Sequence, residues 1–99
     1  MKHLPLKLVE MTRPDGQVGD LDYKLQIKQI ITMPVQSQSG ISVEDLRRCI
    51  RVLDALEKAG DTLDLEDADF EFLKGRILSA KFAFAHPAIL QFVDDVTGA

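Results

Sequence analysis

Hydrophobic and polar positions change period several times along the chain, and each change predicts a new element. Residues 4–12, "LPLKLVEMT", alternate loosely, with Leu4, Leu6 and Leu8 on one side, and run into "RPDG". Pro14 presets φ, Asp15 offers a local acceptor and Gly16 closes the turn without a Cβ, so a short strand is expected to end in a β-turn. The next segment, "DLDYKLQIKQIITMP", carries two patterns. From Leu21 to Lys28 apolar and polar residues alternate strictly, as in a strand. Tyr23, Ile27, Ile30 and Ile31 fall instead at i, i+4, i+7 and i+8, as in a helix with Asp20 as cap and Pro34 as stop. The alternation fails beyond Lys28, which favours a helix; between helix and strand, residues 21–33 stay open.

After the polar linker "VQSQSG", residues 35–40, Ser42 and Asp45 resemble a capping box, with Ile41 and Leu46 as a hydrophobic staple. A helix is therefore expected from Ser42. Leu46, Ile50 and Leu53, flanked by Cys49 and Leu56, form its apolar stripe, and Gly60 marks its end. Glu44 with Arg48 and Asp54 with Lys58 stand i, i+4 in the favourable acid-first order. Beyond the turn "AGDT", Glu66, Asp67 and Asp69 suit a first helical turn, where the macrodipole favours negative charge. Leu65 and Phe70 could staple that start around a Glu66 cap. Phe70, Leu73, Ile77, Ala80 and Phe84 continue at helical spacing, which carries the helix to about Phe84 or Ala85. His86 then stands where a cap belongs and Pro87 where a first-turn proline belongs, and Ile89, Phe92, Val93 and Val96 give a final amphipathic helix. The expected fold is mainly α (α+β): a short N-terminal strand or hairpin packed beside three or four helices, in a single small globular domain over residues 1–99.

Composition narrows this picture without changing it. With 99 residues, 45% hydrophobic and 28% charged, the chain suits one domain and has no room for a second. A core of this size has little reserve, so a self-associating surface would be a natural supplement. The net charge of −4 argues against the basic footprint of a nucleic-acid binder. One cysteine, Cys49, forms no internal disulfide, which points to the cytoplasm. Pro5, Lys7 and Glu10 break up the apolar start, so no signal peptide is expected, and no run approaches the ~20 apolar residues of a membrane span.

Candidate chemistry is thin. The stretch "DTLDLEDADFE" holds six carboxylates in eleven residues, yet no register supplies the ligand positions and central glycine of a calcium loop. No metal or cofactor is expected. Cys49 and His86 are the only nucleophile and base in view; a cysteine bordering a core stripe commonly behaves as a small hydrophobe, and a histidine before a proline as a cap. Without nucleotide-cradling, nucleophile-elbow or zinc-helix motifs, no enzyme is expected and no catalytic residue is assigned. Arg47, Arg48 and Arg51 share one side of the Ser42 helix and could meet phosphate, which makes a nucleic-acid-binding regulator the alternative reading.

The order of features in "RPDGQVGDLDYKLQIKQII", "SVEDLRRCIRVLDALEKAG" and "LDLEDADFEFLKGRI" resembles that of small accessory proteins encoded by tailed bacteriophages and prophages. The resemblance covers most of the chain as a pattern and transfers no functional residue. It implies a protein that acts by contact in the bacterial host cytoplasm: a virion-assembly factor such as a tail-assembly chaperone, a small structural component, or an inhibitor of a host system. Phe70, Phe72, Phe82, Phe84 and Phe92 independently point the same way, being more aromatics than one face of two short helices readily buries. Phe72 and Phe82 are expected at the surface, with Phe92 as a third interface candidate. The expected partner is another protein or a second copy, in a homo-oligomer, with no membrane involved.

Overall fold

A computed structural model describes residues 1–12, 15–32, 41–82 and 85–98. Strands β1 (Lys2–Pro5), β2 (Leu8–Thr12) and β3 (Val18–Asp22) are followed by helices α1 (Tyr23–Thr32) and α2 (Val43–Lys58). Strand β4 (Thr62–Leu65) then leads into α3 (Asp67–Ser79) and α4 (Pro87–Thr97). The result is an α+β fold: four helices with two small antiparallel sheets, β1 with β4 and β2 with β3. One hydrophobic cluster takes residues from all eight elements.

The N-terminal segment is two strands in two sheets. β2 and β3 form the hairpin, turning through Gly16, whose φ of 87° lies in the left-handed region open to glycine, while the Asp15 carboxylate accepts from the Gln17 N–H at 3.0 Å. β1 crosses to pair with β4, placing Leu4 opposite Leu63, both fully buried. Sequence periodicity passed over β4, because "TLDL" is short and its one acid, Asp64, merges with the acidic start of α3. Its alternation is nonetheless that of a half-buried strand, with Leu63 and Leu65 inward and Thr62 and Asp64 outward.

Residues 21–33 are mainly helix: of the alternation from Leu21 to Lys28, only Leu21 and Asp22 are strand, and Leu25 is 49% exposed on the helix. The chain is strand through Asp22 and helix from Tyr23, and Met33 lies outside the described residues, as does Pro34. Asp22 rather than Asp20 caps the helix, its carboxylate accepting from the Lys24 N–H at 3.0 Å; Asp20 sits in β3 opposite Glu10. The switch works because Tyr23 belongs to both: its N–H donates to the Lys7 carbonyl at 3.1 Å, and its ring heads the buried face Tyr23, Ile27, Ile30, Ile31.

Helix α2 starts as expected, with the Ser42 hydroxyl accepting from the Asp45 N–H at 3.1 Å, but it is rolled relative to the expected stripe. Cys49, Val52 and Leu56 are buried and Leu53 is half-buried, while Leu46 and Ile50 stay 46% and 50% exposed. Apolar residues cover a wider arc of this helix than α1, α3 and β4 can bury, and a fork from Arg51 to the buried Asp69 carboxylate, at 2.9–3.2 Å, sets which part turns inward.

Helix α3 begins behind Glu66, which makes no side-chain cap bond, and it ends earlier than its spacing suggests. Ala80 is already extended, and the Ser79 hydroxyl donates to the carbonyls of Gly75 and Arg76, closing the last turn. The expected continuation to Ala85 is thus absent, and Phe84 lies outside the described residues. The early stop lets α4 return against α3, β1 and β2. There Phe92 meets the Tyr23 ring edge-on at 5.0 Å, and the Tyr23 hydroxyl donates to Asp95 Oδ2 at 2.7 Å, with Lys7 Nζ 3.0 Å from the same oxygen.

Two outcomes follow. Leu63→Ala is expected to cost about 2–5 kcal/mol in urea denaturation, the value for a packed core leucine, whereas a leucine in a solvated turn would cost far less. The Tyr23 hydroxyl, and after it Lys7, holds the Asp95 carboxyl below its ordinary value. The stabilisation is therefore complete above the unfolded value of about 3.9 and is lost as pH falls through the lower folded value. Tyr23→Phe should destabilise by about 1.5 kcal/mol at neutral pH and flatten the fall in stability below about pH 4, read by thermal denaturation across that range.

Candidate interaction surfaces

The phenylalanines divide between core and surface. Phe92 is fully buried, so the expectation that it lines an interface is corrected: its ring is committed to Tyr23 inside the chain. Phe72 and Phe82 are neither free nor lost from the surface; both are half-buried and lean on the core cluster. Phe70 is buried, with Lys2 Nζ 5.8 Å above its ring centre.

Phe82 follows α3 and lines a hollow of about 570 Å³ with Ala85, His86, Pro87, Ile89, Leu90 and Val93. Leu90 is 62% exposed. His86 is the one polar side chain in the lining among the described residues, and its Nδ1 is already committed as acceptor for the Ala88 N–H at 3.0 Å, capping α4 ahead of Pro87. The sequence signal for this surface was the Phe82–Phe92 segment as a whole; Leu90 was missed, because helical spacing does not say which flank of α4 faces out.

A second apolar surface follows the outer edge of α2: Val43, Leu46 and Ile50, leading through Leu53 into a groove beside α1. That groove, about 520 Å³, is lined by Leu25, Leu53 and Leu56 together with Asp22, Lys24, Lys28, Thr32 and Glu57. Its charges are mixed, with two ammonium and two carboxylate groups.

The three arginines do not make a cationic face. Arg48 is held by Glu44 at 2.8 Å and Asp45 at 3.1 Å, and Arg51 by Asp69. Arg47 alone has no carboxylate partner among the described residues, where contact with a nucleic-acid backbone calls for several available cations. The i, i+4 pair Glu44–Arg48 forms as expected; Asp54 and Lys58 do not pair. Cys49 is buried on α2, which pushes its thiol pKa up and makes the thiolate scarcer, and no hydrogen bond joins it to His86. Among the described residues no group of three or more His, Cys, Asp or Glu side chains is placed to hold a metal ion, and no helix is long and apolar enough to cross a membrane.

No protein-family model matches the chain, and no curated protein or solved structure matches it either.

The cap gives a direct check on the role of His86. His86→Ala should lower stability by about 1 kcal/mol in urea denaturation, and His86→Asn, which restores an acceptor at the cap, should recover most of that loss.

Proposed function

We propose that the chain is a protein-interaction or self-assembling accessory module, and that it takes hold of a protein partner at the hollow beside Phe82 and Leu90. One observation carries this reading: among the described residues the lining is apolar except for His86, whose Nδ1 is already occupied. Sites for small polar ligands combine an apolar wall with several convergent polar groups that fix orientation. Here the wall exists without those groups. An apolar side chain presented by another polypeptide would bury the exposed part of Leu90 and the half-exposed Phe82, and would need no polar match at the centre of the contact.

Such a role is non-catalytic and fits the resemblance to phage and prophage accessory proteins, which act by contact; the host cytoplasm is the setting that goes with it. The mixed-charge groove beside α1 and the paired arginines lend no comparable support to a small-molecule or nucleic-acid function.

A photo-crosslinking amino acid placed at Leu90, in cells that produce the protein, tests the proposal. Covalent adducts to a second polypeptide are expected from position 90 and not from Glu71, an exposed polar position on α3. Equal, background-level labelling from both positions would remove the hollow as a binding surface.

A further inference from the structure

One donor in the hollow is fixed by the fold and not used by it. Along α4 the lining runs from His86, at the cap, through Leu90 to Val93, so the histidine stands at one end of the apolar wall. Nδ1 of His86 accepts the Ala88 N–H at 3.0 Å, and it can accept only while it carries no proton. In the neutral ring the proton then sits on Nε2, which makes that nitrogen a donor by necessity. Nε2 has no partner among the described residues. Every buried side-chain nitrogen and oxygen among them does have one, so Nε2 opens to solvent. The ring that closes the start of α4 therefore offers a second, outward N–H beside an apolar wall.

Covering the hollow changes what that N–H requires. A contact that buries Leu90 and Phe82 takes water from Nε2, and a dehydrated donor without an acceptor costs at least as much as a hydrogen bond is worth. An occupant made of hydrocarbon alone has no acceptor to give. A carboxylate or phosphate has one, but no lysine or arginine lines the hollow among the described residues to balance its charge. A polypeptide segment supplies both parts, an apolar side chain for the wall and a neutral backbone carbonyl a few bonds away.

We infer that His86 is the polar anchor of the hollow: while Nδ1 caps α4, its Nε2–H donates to a backbone carbonyl of a polypeptide segment whose apolar side chain rests against Leu90 and Phe82. This rests on the reading of the hollow as a protein contact and adds the partner's chemistry to it. It gives His86 two separable tasks, one for each ring nitrogen.

Two substitutions separate them. His86→Asn keeps an acceptor where Nδ1 stands and has no donor at the place of Nε2; in His86→Gln the side-chain amide nitrogen reaches the place of Nε2 and the cap acceptor is lost. Both are made in the protein carrying the photo-crosslinker at position 90, in cells that produce it. His86→Asn should keep its urea midpoint near the wild-type value yet lose about tenfold in adduct yield, the effect of one missing hydrogen bond in a covered contact. His86→Gln should lose stability as His86→Ala does and still give several times the adduct of His86→Asn per folded molecule. Nitrogen-15 NMR of the His86 ring should place the proton on Nε2 in the free protein. A proton on Nδ1, an adduct yield unchanged in His86→Asn, or a His86→Gln variant no better than His86→Asn would overturn the inference. Where position 90 labels a polypeptide and His86→Asn labels it equally, the hollow remains a protein contact and only the anchor falls; where position 90 gives no more adduct than Glu71, both fall.

Discussion

Tyr23 is the residue through which the separate parts of this fold are tied together. Its backbone N–H closes onto Lys7 between the first two strands, its position ends β3 and begins α1, and its ring packs edge-on against Phe92 of α4. Burial of so large a side chain is favourable only if its hydroxyl is satisfied, and Asp95 does this from the far helix, with Lys7 balancing the carboxylate. A buried phenol bonded to a carboxylate is itself harder to ionise, by burial first and by Asp95 second, so it remains a donor. Hairpin, first helix and last helix are thereby fixed by one side chain and its two polar neighbours.

The middle of the chain is held by a second polar link, the fork from Arg51 to Asp69. Asp69 is the one charged residue buried among those described, and it is tolerated because the guanidinium supplies a planar, bidentate partner while keeping part of its own surface in water. The consequence for α2 is directional. Holding Arg51 towards α3 fixes the roll of the helix, so that Cys49, Val52 and Leu56 enter the core and the adjoining Leu46 and Ile50 do not.

That roll explains where sequence reasoning succeeded and where it stopped. Caps, turns and charge pairs are local chemistry, and Ser42, Gly16, His86 with Pro87, and Glu44 with Arg48 all stand in the structure as their neighbours in sequence imply. Which flank of an amphipathic helix is buried depends on partners distant in sequence, and periodicity gave the wrong flank for α2; for Phe92 the helical spacing was right, and it was the count of phenylalanines that suggested an interface. Strand β4 escaped for a related reason: four residues running into an acidic helix start are recognisable as a strand only beside β1, some sixty residues earlier. Of the candidate surface, the aromatic segment around Phe82 was legible and Leu90 was not. The arginine group dissolved once Asp69 was seen to be near in space.

The exposed apolar residues of α2 are informative because nothing in the folding of the chain requires them. The helix is capped by Ser42, carries the Arg48 pairs on its outer face, and is anchored by the Arg51 fork and a buried face of its own. Polar residues at positions 43, 46 and 50 would leave every one of those interactions intact and would raise helix solubility. Single exposed leucines are ordinary on protein surfaces, but Val43, Leu46 and Ile50 form a row along one helix edge, and each of its members gains most when the others are covered with it. In a chain short enough to have a modest core, such a row adds buried apolar surface without adding length, which is what association supplies to small domains. The two apolar surfaces differ in setting: the α2 row follows the edge of one helix, whereas the surface beside Leu90 joins Phe82 to the outer side of α4.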